Sequence, residues 1–171
     1  MPKDTVEWMS AAASAFAALV ALTIPFIMQR LDRQRLVREE RAAVKEVCVT
    51  ITQIVRYYKE LRDSCAPGKP NHIFTRYHQI ASESQAAGMA LERMLSQSGW
   101  TDGVQIAGSA AIVLAQAVAE AGSDAGAGRP STAGNQLPRF HHVAQLANSR
   151  CERVRTHFNI ERDADDPIVI V

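Results

Sequence analysis

Five histidines (His72, His78, His141, His142 and His157) and three cysteines (Cys48, Cys65 and Cys151) are where this chain could do chemistry. No HExxH or CxxC arrangement joins them, so the sequence offers no metal site. The cysteines are odd in number and widely spaced. That pattern points to small buried apolar side chains in a reducing compartment, not to a disulfide framework. His141 and His142 are adjacent and therefore face different sides of a helix. The glycine-rich stretch GSDAGAGRPSTAGNQ contains neither GxxxxGK(S/T) nor GxGxxG, so it forms no phosphate cradle. No cofactor and no small-molecule substrate are expected. One pair remains: Arg150 and His157, with six residues between them in RCERVRTH.

That octapeptide resembles the R-x(4–6)-H signature of the HEPN nuclease superfamily. The resemblance implies an antiparallel helical bundle that carries the motif near a late helix and dimerises to build a ribonuclease site. It implies acid–base work by His157, phosphate stabilisation by Arg150, and RNA as a partner. Cys151 follows the arginine where the family commonly has a polar residue, and in pore-type relatives the motif is structural. A membrane helix ahead of such a bundle also resembles the small membrane accessory proteins of type VI CRISPR systems, which implies pore assembly in antiphage defence. The resemblance covers the order of elements and two residues. The plainer reading of Arg150, Arg153 and His157 is an exposed charged face, favourably placed near a helix C-terminus.

The elements that would position these residues begin with an apolar stretch. No charged residue lies between Glu7 and Arg30, and residues 8–29 are long enough to cross a bilayer, for which about 20 suffice. Trp8 marks one end as an interfacial aromatic would. A cleaved signal peptide needs a positive start, whereas here Lys3 is offset by Asp4 and Glu7. A buried helix of a soluble protein is the other competing reading. The basic cluster Arg30, Arg33, Arg35, Arg38, Arg41 and Lys45 follows the span, which predicts residues 1–7 outside and the remainder in the cytoplasm of a bacterial-type inner membrane. Arg30, Arg33, Arg35 and Arg38 are the candidates for contact with lipid headgroups. Ser10, Ser14 and Ala18 recur at spacings of four, as do Ala13, Ala17 and Ala21. Such small-residue faces let membrane helices associate, or line a pore. Pro25 is a candidate kink.

Beyond the anchor the expected fold is all-α: a cytoplasmic up-and-down bundle of about four helices. Residues 30–64 form the juxtamembrane segment and first bundle helix, with Val44, Val47, Ile51, Ile54, Val55, Tyr58 and Leu61 as its apolar stripe. Ala66-Pro67-Gly68-Lys69-Pro70 stops it. Residues 65–121 hold two more helices. The stripe Ile73, Tyr77, Ile80, Ser84, Ala87, Leu91 and Leu95 marks the first, which Ser98-Gly99 ends. The second, capped by Thr101 or Asp102, is apolar on nearly every face and reads as a central core helix rather than a second span. Residues 122–137 are expected to be a flexible loop. Residues 138–160 form the last helix, starting at Pro138, with Phe140, Val143, Ala147, Cys151, Val154 and Phe158 on its apolar face. In the tail, residues 161–171, the four β-branched residues Ile168 to Val171 fit either an added strand on a partner or docking on the bundle or a second subunit, and docking or subunit contact is the expectation.

A formal net charge of +1 excludes a global basic field for nucleic acid. The functional expectation is a membrane-anchored, self-associating helical protein of the defence-effector or pore type. The alternatives are a membrane-tethered HEPN-like ribonuclease, and a scaffold that recruits a cytoplasmic protein.

Overall fold

The computed structural model describes residues 3–66, 74–97 and 99–161, and side chains from Ala13 onward with the exception of Phe74. Trp8, Ser10, Pro67, His72, Ile73, Ser98 and the Ile168–Val171 tail fall outside what it describes, in whole or at the side chain. Among the described residues five α-helices follow in order: α1 Lys3–Ser64, α2 Phe74–Leu95, α3 Asp102–Gly126, α4 Pro130–Gln136 and α5 His141–Phe158. A 3-10 turn, Leu137–Phe140, leads into α5. The described residues contain no strand.

The chain divides into two units, residues up to Ala42 and residues from Ala43. The division falls inside α1, just after the basic residues Arg30 to Arg41. In the first unit every described side chain from Ala13 to Ala42 is exposed. The helix assignment runs through Pro25 without a break.

The second unit is an up-and-down bundle, and individual pairs fix its directions. Arg76 in the first turn of α2 pairs with Glu60 near the end of α1 at 2.7 Å, which brings these two helix ends together. Gly88 faces Ala115 and Gly122 faces Ala81, so α3 returns antiparallel to α2. Tyr58 donates to the Leu137 carbonyl at 3.2 Å and Cys151 to that of Cys48 at 3.6 Å, which runs α5 back along α1. The apolar stripes foreseen on α1 and α2 are the core. Val44, Val47, Ile51, Ile54, Val55, Tyr58 and Leu61 are buried, as are Tyr77, Ile80, Ser84 and Leu91. Ser84 resolves its burial by donating to the Ala115 carbonyl at 3.1 Å.

α3 is the central helix, packing on α2, α4 and α5. Its buried face is almost entirely small: Ala107, Gly108, Ala111, Ala115, Ala117, Ala121, Gly122 and Ala125, with Val104, Leu114 and Val118 as the larger members. Small residues permit close backbone approach. A Cβ on Gly88 would stand 2.9 Å from that of Ala115, and one on Gly122 would stand 3.1 Å from the Tyr77 carbonyl oxygen. Thr101 is the residue at the N-cap of α3, yet its side chain makes no capping bond. Its carbonyl instead accepts from the amides of Val104 and Gln105. Gly99 ends the α2 connection at φ +109, a left-handed geometry that other residues rarely adopt. The Trp100 indole then donates to the Met94 carbonyl at 2.7 Å, satisfying one of the orphaned acceptors of α2.

The flexible loop expected over residues 122–137 is a correction. α3 continues to Gly126, a tight turn at Gly128 follows, and α4 fills most of the remainder with Pro130 in its first turn. Packing overrides the weak helix propensity of this stretch. Ala125 and Ala133 are fully buried, and Arg129 reaches back to Asp124 at 2.6 Å. Pro138 accordingly lies in the 3-10 turn, and α5 starts at His141.

Overpacking where α2 meets α3 should be costly. Gly88→Val is expected to lose about 1–3 kcal/mol of stability in denaturant unfolding followed by helix signal. Gly103→Ala, whose new Cβ would meet only ordinary contact with Val154 at 3.6 Å, should stay within about 0.5 kcal/mol of the parent.

Candidate functional site

Arg150 and His157 are two helical turns apart on α5, a spacing that returns to the same face. Arg153 and Val154 lie between them on that face. The α5 C-terminus meets the α3 N-terminus, because the two helices are antiparallel. The result is a cleft of about 430 Å³ lined by Thr101, Asp102 and Gly103 from the start of α3 and by Arg150, Arg153, Val154, His157 and Phe158 from the end of α5. Val154 and Phe158 supply its apolar wall. The imidazole of His157 stands edge-on to the Phe158 ring at 5.1 Å. Arg153 and His157 are exposed and Arg150 is half-buried.

Chemically, the cleft combines two guanidinium groups, one imidazole and the positive end of a helix dipole, a set suited to an anion. Asp102 in the first turn of α3 introduces one carboxylate. It can accept from an arginine, or compete with an anion for it. A helix ending in Asn159, which takes the left-handed conformation at φ 51, terminates the wall of the cleft just beyond Phe158. The adjacent Ile160 amide donates to the Arg155 carbonyl at 2.9 Å.

Sequence reasoning missed the residue behind this cleft. Arg155 is only 4% exposed, the one arginine among the buried described residues. Side chains on a helix lean toward its N-terminus, and Arg155 reaches back to donate to Thr52 Oγ1 at 3.1 Å. Thr52 in turn donates to the Cys48 carbonyl at 2.9 Å. Glu152 lies 4.0 Å from Arg155 Nε. Cys48 and Cys151, each 1% exposed, complete this buried layer. Their mutual hydrogen bond, with burial adding to it, pushes the Cys48 thiol far above its ordinary range. Cys65 is half-buried rather than buried, and burial pushes its thiol up as well. No simple signal marks Arg155, since it stands among three arginines within six residues, and only its place beside Val154 on the apolar face hints at burial.

The other candidates are scattered. Ala13, Ser14, Ala17, Ala18 and Ala21 are exposed on α1, and Ser10 lies in α1 with its side chain outside the described set. Arg30, Arg33, Arg35 and Arg38 are exposed, with Arg35 facing Glu39 one turn on at 3.8 Å. His141 is held at 3.3 Å from the Arg62 guanidinium, far from His157 in sequence and on the opposite end of α5. Among the described residues no group of three or more His, Cys, Asp or Glu side chains could hold a metal ion. A second groove of about 620 Å³ lies between α2 and α3, lined among others by Gly88, Met89, Glu92, Ile112, Ala115 and Glu120.

Comparison with known proteins returns no matching family model, no matching curated protein and no matching solved structure. Function is therefore argued from this geometry.

The buried arginine has a measurable consequence. Arg155→Ala should cost about 2–4 kcal/mol, through the lost packing of its stem and the lost bond to Thr52. Arg153→Ala, two residues away and exposed, should lie within about 0.5 kcal/mol of the parent in the same unfolding assay.

Proposed function

We propose that this chain is a membrane-anchored, self-associating helical protein of the defence-effector or pore type, with residues 8–29 as its anchor. One observation carries the reading: none of the apolar window of α1 is buried. Phe16, Leu19, Leu22, Ile24, Phe26 and Ile27 are all more than half exposed, an apolar surface of a size that soluble proteins cover. Among the described residues two helices qualify by length and composition to cross a membrane, α1 and α3. The window of α3 is half buried within the bundle, which favours α1. Thr23 donates to the Val20 carbonyl at 3.1 Å, so its hydroxyl needs no water. α1 is longer than a single span requires, and on this reading its remainder is the basic juxtamembrane segment and first bundle helix. Arg30, Arg33, Arg35 and Arg38 would meet anionic headgroups on the cytoplasmic side. The small faces Ser10, Ser14, Ala18 and Ala13, Ala17, Ala21 would bring copies together.

Alkaline carbonate washing should leave the protein in the membrane pellet; release into the supernatant would remove the anchor. An impermeant thiol reagent added to intact cells should fail to label Cys65, and labelling would reverse the orientation. In mild detergent the expected state is an oligomer, and a monomer would sink self-association. Dye leakage on expression distinguishes a pore from a closed assembly.

A second reading, a membrane-tethered ribonuclease, is favoured by the cleft that Arg150 and His157 share. General acid–base catalysis typically contributes about 10²–10⁴-fold. RNA cleavage by the purified chain should therefore fall at least about 100-fold in His157→Ala with unchanged thermal stability. Equal cleavage by the two proteins would exclude this reading.

A further inference from the structure

The cleft between the start of α3 and the end of α5 carries positive charge without an ion-pair partner. Arg150, Arg153 and His157 line it, and Asp102 stands in it. Among the described residues neither arginine forms an ion pair, with Asp102 or with any other carboxylate. The surface beyond the cleft is apolar. Ile106 and Val113 follow Asp102 at spacings that keep all three on one stripe of α3. Both are more than 40% exposed. Away from the end of α5, this surface is thus first basic and then apolar. The segment that follows Glu161, outside the described residues, has the complementary order. Asp163, Asp165 and Asp166 come first, against the single base Arg162, and Pro167 separates them from Ile168 to Val171. The point of departure suits a return to the bundle. Asn159 is left-handed and the Ile160 amide donates to the Arg155 carbonyl, so the backbone folds back over the last turn of α5. Ile160 packs against the core.

We propose that this cleft is the docking site of the chain's own segment 162–171. Asp163, Asp165 and Asp166 face Arg150, Arg153 and His157, and Ile168 to Val171 cover Ile106 and Val113. The docking involves the bundle alone and is independent of the membrane and ribonuclease readings. Lengths agree with it. An extended chain advances about 3.3–3.6 Å per residue, so residues 163–166 can lie about 7–18 Å from Glu161. The interval from His157 back to Arg150 is about 10 Å along α5. Ile168 can reach about 23 Å, past Val113, which is about 16 Å along α3 from Asp102. A second copy could offer the same segment. The short tether favours the segment's own chain, because Glu161 is only three residues beyond Phe158 in the wall of the cleft. The docked carboxylates take the places that an external anion would occupy, so the segment and a free polyanion exclude each other.

The test uses the full chain purified in detergent. Arg150→Lys with Arg153→Lys keeps both charges and supplies amines, which a water-soluble carbodiimide joins to a paired carboxylate without a spacer. The expected product is an amide between one of these two positions and a carboxylate of residues 163–166. It should be found by peptide mass in protein that runs as a monomer on a denaturing gel. Absence of that link would overturn the proposal. So would its confinement to protein of dimer mass, which would assign the segment to a second copy. A second measurement keeps the native arginines. In Cys65→Ser, Val169→Cys places a thiol on the segment, while Cys48 and Cys151 are buried. Adding Arg150→Gln and Arg153→Gln should speed maleimide labelling at position 169 about tenfold, the combined effect of losing several weak surface ion pairs. The two rates should coincide in urea. Removing positive charge by itself slows a thiolate reaction, so the rise reports release of the segment. Equal native rates with and without the two arginines would overturn the charge pairing.

Discussion

The closeness of α2 to α3 is the constraint from which the rest of the bundle follows. α3 is surrounded by α2, α4 and α5, and a helix enclosed on that many sides must present small residues or force its neighbours apart. Glycine and alanine sit where the helices come nearest. A Cβ on Gly108 would strike Leu95, and one on Gly126 would strike the His78 ring. The longer side chains of α1 (Ile51, Ile54, Tyr58 and Leu61) supply the bulk of the core opposite this seam, and each is buried. The same arrangement sets the α3 N-terminus against the last turns of α5 and so creates the cleft that holds Arg150 and His157.

Against that tight apolar seam stands a polar one. Arg155, Thr52 and the Cys48 carbonyl connect α5 to α1 through buried hydrogen bonds. Burying a guanidinium costs solvation that a pair of leucines would not. The layer is consequently a poor way to gain stability, and it places charge next to two thiols. The bundle thus joins a seam built on shape alone to one whose composition goes beyond what packing requires.

Much of this was legible in the sequence, for reasons that can be named. The α1 stripe from Val44 to Leu61 repeats at three and four residues over many turns, and all seven foreseen positions are buried. Periodicity of that length leaves little ambiguity. The all-helical bundle and the central role of α3 were legible from the same signal. Residues 122–137 were not. Gly122 and Gly134 look like loop residues locally, yet each stands against backbone, of α2 at Tyr77 and Ala81 and just past the end of α1 at Cys65, a tertiary demand that no local window contains. The pairing of Arg150 with His157 on one face follows from their spacing alone, whereas the cleft needed the antiparallel α3. Arg155 was hidden by its charged neighbours Arg150, Glu152 and Arg153, since a run of charge reads as solvent-facing until one member is seen to turn inward.

The small-residue seam also bears on how the bundle responds to temperature. Alanine and glycine have no rotamers to freeze, so docking α2 on α3 costs little side-chain entropy. They also remove less apolar surface from water per contact than leucine or phenylalanine would, and the heat capacity of unfolding scales with that surface. What holds this interface is the density of atom-to-atom contacts more than displaced water. The curvature of the stability curve therefore comes chiefly from the larger buried side chains of α1, such as Ile51, Ile54, Tyr58 and Leu61, and less from this seam.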